Sequence, residues 1–141
     1  TETADKDANR KGEEIALYSR LPLENTRLWW THHDHKLPSP NVESAIVGTV
    51  RVKGEPIDII VMHTMSPTIQ HRYYHQKFHM AMLEAHVDDM APNVIVMGDL
   101  NATPWSWTFR RLLRNVGLKD SEEGFGAFPT WPRWVPLLPL D

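Results

Sequence analysis

The sequence predicts an α+β fold, in which short strands form a sheet and helices pack against it. Three observations support this fold class: a wholly apolar, β-branched run at residues 94–97, two strand-like runs around a turn with glycine and proline, and two segments whose apolar residues recur at helical spacing. With 141 residues and 41% hydrophobic content, the chain suffices for one core. We expect one domain over residues 15–141, after a mobile lead or loop at 1–14.

The first half of the chain predicts four strands. Residues 15–23 alternate in polarity as in a strand that proline ends, and residues 27–31 indicate a second, short strand. The runs at 44–52 and 57–63 are joined by residues 53–56, whose glycine and proline suit the turn of a hairpin.

The second half of the chain predicts two helices. A long helix fits residues 69–89, and a shorter one fits 104–116, with Thr103 as its cap, Pro104 in its first turn and Gly117 at its end. Residues 121–141 are rich in Gly, Pro and Trp, so we expect an ordered loop lying over the domain or a mobile tail rather than a regular element.

Polar residues follow two of the predicted strands directly. The run at 94–97 reads as a strand buried on both faces, and after Gly98 come Asp99 and Asn101, two residues apart at the strand tip. The run at 57–63 ends in the same way at His63. The alternative interpretation of Asp99 and Asn101 is an Asx-type turn that only starts the next helix.

Charge and composition exclude several function classes. The formal net charge of −3 argues against a protein that neutralises many phosphates at once, although a metal ion could still serve one phosphate-bearing substrate. The chain has no cysteine, which excludes disulfides, thiolate catalysis and Cys-based zinc sites. No stretch approaches the ~20 apolar residues that span a bilayer, so we expect a soluble chain whose compartment the sequence leaves open.

Two groups of histidines are candidate metal ligands. One is the loop with His32, His33 and His35 around Asp34, and the other is the helical stripe of His71, His75, His79 and His86. The alternative interpretations without a metal are a solvated loop and the partly exposed margin of an amphipathic helix. We favour these alternatives, because no carboxylate is spaced to complete a motif such as HExxH on the helix.

Taken in order, the motifs resemble the second half of the endonuclease/exonuclease/phosphatase superfamily, which has the DNase I-like fold. The motifs are HTxxP at 63–67, a helix with Arg72 and Gln76, VMGDLNATPWS at 96–106, FRRLL at 109–113, GLxD at 117–120, TWP at 130–132 and PLD at 139–141. Residues 15–22, IALYSRLP, are similar to the family strand GxAxxSRxP, with Glu14 in place of the glycine.

The resemblance implies a β-sandwich flanked by helices that hydrolyses phosphate esters with Mg²⁺ or Mn²⁺. By motif position, His63 is the catalytic acid or hydrogen-bond donor, Asp99 orients or deprotonates the attacking water, and Asn101 contacts phosphoryl oxygens. Asp99, Asn101 and Asp141 are the expected metal-site residues, and the partner is a phosphate-ester substrate, with nucleic acid as one candidate. These groups suit such chemistry, which needs oxygen ligands, a placed water and a proton donor. Trp131 is similar to an aromatic beside the family pocket, or it packs under the tail.

The sequence also departs from the family pattern. Relatives carry an Asn-bearing strand and a metal-binding Glu ahead of anything equivalent to Gly12, and a histidine after the aspartate at Asp141. Neither feature is found here, and Glu13, Glu14 and Glu43 lack the context of that Glu. We therefore expect a fragment of a longer hydrolase, with a catalytically incompetent binding module as the alternative.

Overall fold

The computed structural model describes residues 15–30, 44–126, 128–132, 134–135 and 137–139. The expected lead at 1–14, the loop with His32, His33 and His35, and Asp141 lie outside the described residues.

Four strands form one mixed sheet in the described part of the chain. They are β1 (Glu24–Trp30), β2 (Ser44–Val52), β3 (Glu55–Met62) and β4 (Asn93–Met97), and they lie in the order β1-β2-β3-β4. The pairs β1/β2 and β2/β3 are antiparallel, whereas β3 and β4 are parallel. The parallel pair brings the C-terminal ends of two strands to one edge of the sheet.

The hairpin between β2 and β3 confirms the predicted turn. Lys53 and Gly54 both have positive φ, 53° and 90°, which is the conformation that a tight two-residue hairpin turn requires. Pairing then resumes at once between Val52 and Glu55, so β3 begins two residues earlier than the predicted strand.

Two helices follow the strands. α1 (Gln70–His86) continues into a 3₁₀ turn at Val87–Asp89, in agreement with the predicted helix at 69–89. α2 (Trp107–Val116) begins three residues later than predicted, because its N-cap is Ser106 and not Thr103. The Ser106 hydroxyl oxygen accepts a hydrogen bond from the Phe109 N–H at 3.2 Å.

The predicted strand at 15–23 is wrong. This segment has no regular structure, and the first strand starts only at Glu24. Two of its leucines lie over Gly48 of β2. If Gly48 had a Cβ, this atom would be 3.1 Å from a methyl group of Leu23 and 3.6 Å from a methyl group of Leu17. The segment therefore lays leucines on the sheet at Gly48 and does not pair with a strand.

The prediction that β4 is buried on both faces is also wrong. Val94 and Val96 pack against the core, whereas Ile95 and Met97 are 44% and 43% exposed. β4 is the last strand in the sheet order, and within the described residues one of its faces is partly buried against the core while the other is exposed. The β-branched residues of this run correctly predicted a strand, but they did not indicate whether one or both faces of the strand are buried.

The core lies between the sheet and the two helices. Its buried members are Ala45, Val47, Ile60, Met62, Met80, Leu83, Ala102 and Leu112. Asp58 is buried beside this core, where its carboxylate accepts hydrogen bonds from the Thr49 hydroxyl at 2.6 Å and the Ala91 N–H at 2.8 Å. These bonds tie β2 and β3 to the turn that leads into β4.

The described helices include none whose length and apolar content would let it cross a membrane.

Candidate functional site

The candidate site lies where the parallel strands β3 and β4 end. Val61 is the register partner of Met97, so the residues that follow both strands emerge at the same edge of the sheet. His63 and Thr64 follow β3, and the turn that carries Asp99 follows β4. Two segments that are more than thirty residues apart in sequence thus meet at one point.

Gly98 allows the two strand ends to approach closely. Its φ is +119°, and a Cβ at this position would stand 2.2 Å from the carbonyl oxygen of Met62. No side chain fits there without a shift of the backbone, so glycine is needed both for its conformation and for the space it leaves.

His63 and Asp99 face each other across this junction. Their closest atoms, Nε2 of His63 and Oδ2 of Asp99, are 3.7 Å apart. The side chains are 24% and 41% exposed, so both are accessible from solvent. The structure therefore brings together the two residues that sequence motifs had paired, whereas their catalytic roles stay a prediction.

Asp99 and Asn101 do form the Asx-type turn that was the alternative interpretation. The Oδ1 atom of Asp99 accepts a hydrogen bond from the Asn101 N–H at 2.8 Å, and Asn101 has a left-handed φ of 47°. The turn and the site are compatible, because Oδ1 serves the turn while Oδ2 lies beside His63.

Two buried polar residues hold this turn in place. The Thr64 N–H donates to the Asp99 carbonyl at 2.9 Å, and the Thr64 hydroxyl donates to the Leu100 carbonyl. From helix α1, the Gln76 amide nitrogen donates to the carbonyls of Leu100 at 3.0 Å and Asn101 at 2.7 Å. In return, the Asn101 side-chain amide donates to the Thr64 carbonyl at 2.7 Å. The loop conformation is thus fixed from both β3 and α1.

Sequence reasoning gave neither Thr64 nor Gln76 a role. A signal existed for Gln76: it lies four residues before Met80, on the helix face that carries the core, and a polar residue on such a face needs hydrogen-bond partners. Gln76 is only 3% exposed, and Thr64 is fully buried.

The histidine stripe on α1 is not a metal cluster in the described part of the chain. No group of three or more His, Cys, Asp or Glu residues suited to a metal ion occurs among the described residues. The rings of His75 and His79 lie 6.5 Å apart, and His79 is buried rather than marginal. The Nδ1 atom of His86 is within hydrogen-bond distance of the Met82 carbonyl oxygen, and the His86 ring contacts the ring of Trp29. The His71 side chain is not among the described side chains.

The donor types at the strand ends fit a hard divalent cation. Asp99 supplies a partly exposed carboxylate and Asn101 a carboxamide, and Mg²⁺ binds through one or two such oxygens while it keeps water or phosphate oxygens as further ligands. Asp141, the third predicted metal-site residue, lies outside the described residues.

The C-terminal segment forms an ordered loop in its described part. Trp131 and Leu138 exchange backbone hydrogen bonds, both at 2.9 Å. The Trp131 side chain is 56% exposed, so it does not pack beneath the tail as one interpretation had it.

Residues 4–141 match the endonuclease/exonuclease/phosphatase family. The chain belongs to this family. The match includes all the motifs that showed the resemblance and every predicted site residue. No curated protein matches the chain.

Solved structures confirm the fold class predicted from the motifs. The protein SmcL superposes with a TM-score of 0.57 at 14% identity, over 82% of this chain and 40% of SmcL. The sheet and the two helices are thus part of a DNase I-like α+β fold.

Two further solved structures align over a smaller part of the chain. Sphingomyelinase C from Streptomyces griseocarneus aligns with a TM-score of 0.49 at 16% identity, over 58% of this chain and 31% of that protein. Beta toxin from Staphylococcus aureus aligns with a TM-score of 0.45 at 20% identity, over 54% and 30%. The chain therefore spans 30 to 40% of the length of these three structures.

Proposed function

We propose that this domain belongs to a divalent-metal-dependent phosphoesterase that hydrolyses a phosphate ester by attack of water. The observation that carries the proposal is the approach of His63 to Asp99, 3.7 Å apart at the end of the parallel strand pair. Family membership supports the reaction class, and the fixed Asn101 turn beside the pair supports a preorganised site.

Each residue of the pair has a separate role in the proposal. Asp99 is 41% exposed and its Oδ2 atom lies beside His63, so this oxygen is placed to accept a proton from an attacking water. His63 is within reach of the same space and donates a hydrogen bond to a phosphoryl oxygen or to the leaving group. The Asn101 backbone is fixed by two hydrogen bonds, and its side-chain amide nitrogen donates to the Thr64 carbonyl, so the proposal assigns the contact with the phosphate to the rest of this held carboxamide group.

Mg²⁺ or Mn²⁺ is the proposed cofactor, held by Asp99 and Asn101 and, by motif position, by Asp141. Such an ion offsets the negative charge that develops on the phosphate during attack. The proposed substrate is a phosphodiester, with nuclease-like action on nucleic acid as the first candidate and a phosphomonoester as the second. This preference follows the family name and the motif pattern.

Turnover of generic phosphate esters tests the proposal. The chain is incubated with Mg²⁺ or Mn²⁺ and either bis(4-nitrophenyl) phosphate or 4-nitrophenyl phosphate, and release of nitrophenol is followed. We expect Asp99→Asn and His63→Gln each to lower kcat by about 100-fold or more, as for the loss of a general acid or base. Asp88→Asn, an exposed carboxylate in the 3₁₀ turn, is the matched control and should keep wild-type activity.

Equal rates for the wild type and Asp99→Asn would remove the catalytic proposal for this chain. The alternative of a family fold that only binds a partner would then stand.

A further inference from the structure

The N-terminal halves of the two helices, with the residues just before them, carry an exposed cluster that the catalytic proposal does not use. We call it the aromatic–cationic rim, and its members are Ile69, Tyr73, Tyr74, Lys77, Trp105 and Trp107. Its five apolar and aromatic members are between 38% and 57% exposed. Soluble proteins rarely expose several large apolar side chains side by side without a partner for them.

Contacts between side chains connect four of the rim residues, Tyr73, Tyr74, Lys77 and Trp107, across both helices. The Lys77 ammonium lies 5.5 Å from the ring centre of Tyr73 on its own helix and 5.6 Å from that of Trp107 on α2. The rings of Tyr73 and Tyr74 are 5.9 Å apart, and the Arg111 guanidinium lies 5.3 Å from the Trp107 ring centre.

The rim lies at the end of the helices that carries the site. α1 begins shortly after His63 and α2 shortly after Asn101, because each helix follows one of the two parallel strands. Gln76, the neighbour of Lys77, makes the hydrogen bonds that hold the Asn101 turn. A surface that docks on the rim would therefore be next to His63 and Asp99.

The charge around the rim is positive, although the whole chain has a net charge of −3. Residues 69–83 and 100–116 contain five Lys or Arg residues and no Asp or Glu, although Asp99 directly precedes the second range. Of the five cations, Lys77 and Arg111 contact the rings of the rim. The nearest carboxylate on α1, that of Glu84, is paired with Arg111 at 3.3 Å. The rim thus complements an anionic partner.

Two features favour a lipid surface over a nucleic acid. Nucleobases stack on open ring faces, whereas Lys77 and Arg111 already lie over the faces of Tyr73 and Trp107. Ile69, 56% exposed, has no ring to offer a base. Trp and Tyr beside Lys and Arg are instead the residues that settle at the headgroup level of a bilayer with anionic lipid.

We propose that the aromatic–cationic rim docks the domain on the surface of a bilayer that contains anionic phospholipid. The proposal concerns binding alone and does not depend on catalysis by His63 and Asp99. Aromatic rings enter the interfacial layer and the cations meet lipid phosphates, so that binding weakens as salt screens the charges.

Vesicle co-sedimentation tests the rim directly. The chain is mixed with vesicles of phosphatidylcholine alone or of phosphatidylcholine with phosphatidylglycerol. We expect binding to the anionic vesicles, weaker binding at higher salt, and a further loss of about 5-fold for Lys77→Gln, the effect of about 1 kcal/mol per cation near a charged membrane. Trp107→Ala should weaken binding as well.

Controls separate loss of the rim from loss of the fold. Trp134→Ala removes a tryptophan that is 87% exposed and lies on neither helix, so it should bind like the wild type. If Trp107→Ala does not fold, Tyr74→Ser replaces it, because Tyr74 is 57% exposed and outside the core. Wild-type binding by folded rim variants, or no binding of the wild type to anionic vesicles, would overturn the proposal. The proposal would also be overturned if the wild type bound a single-stranded oligonucleotide and not the vesicles, and if the rim variants lost that binding.

Discussion

Replacing Gly98 by alanine should destabilise the domain more than the same change at another glycine with positive φ. At Gly98 the new Cβ would stand 2.2 Å from the Met62 carbonyl oxygen, whereas a tolerable contact begins near 3.4 Å. The strand ends must therefore separate by roughly 1 Å before alanine fits. The hydrogen bond from the Thr64 N–H to the Asp99 carbonyl, 2.9 Å long, would not survive that movement.

The magnitude follows from two contributions. Alanine in a left-handed conformation costs about 1–2 kcal/mol, and a buried N–H without an acceptor costs about 1–3 kcal/mol more. We expect Gly98→Ala to lower the free energy of unfolding by about 2–5 kcal/mol. Gly54→Ala is the matched control: Gly54 has a φ of 90° and no atom within 4 Å of its Cβ position, so only the conformational cost of about 1–2 kcal/mol applies.

Urea unfolding of the two variants, followed by far-UV circular dichroism, measures the difference. If Gly98→Ala does not fold while Gly54→Ala does, the loss of free energy at Gly98 exceeds the free energy of unfolding of the wild-type domain, which agrees with the prediction. Equal free energies of unfolding for the two variants would show that the strand ends do not meet as closely as described here. Loss of nitrophenyl phosphate turnover in Gly98→Ala, with turnover kept in Gly54→Ala, would add that the junction also places Asp99.

Three further substitutions test the supports of the site and the core by the same urea unfolding. Asp58→Ala should cost about 2–4 kcal/mol, because two buried donors lose their acceptor; a cost equal to that of the exposed Asp88→Ala would refute this. Gln76→Leu should cost about 1–3 kcal/mol, since the Asn101 carbonyl loses its described side-chain donor, and the glutamine network is refuted if neither stability nor turnover falls. Ser106→Ala should cost about 1 kcal/mol as the loss of a helix cap, whereas Thr103→Ala, predicted as the cap but not used, should cost less.

Features that depend on neighbouring residues were readable from the sequence. The hairpin turn at Lys53 and Gly54, the end of α2 at Gly117 and the strand before Gly98 all appeared as predicted. Each depends on backbone preferences within a few residues, such as a positive φ or a run of β-branched side chains. The family was likewise readable, because several short motifs, HTxxP, GDLN, TWP and LD, follow one another in order along the chain.

The sequence pattern of one segment gave a wrong prediction because contacts with residues distant in sequence determine its structure. Residues 15–23 alternate like a strand, but Leu17 and Leu23 pack on the sheet at Gly48. The helix cap was missed although it is a local feature: Thr103 and Ser106 can both cap a helix, and it is the Ser106 hydroxyl that accepts a hydrogen bond from the Phe109 N–H.

The sequence by itself determined the family, the reaction class to test and the residue types of the site. Only the tertiary structure decided how those residues are held: the parallel register of β3 and β4 places Asp99 beside His63, and Gln76 reaches the Asn101 turn from a helix. The physical reason is that a local motif fixes backbone conformation within a few residues. The approach of segments more than twenty residues apart depends instead on strand pairing, on the space left by Gly98 and on the need of each buried polar group for a partner.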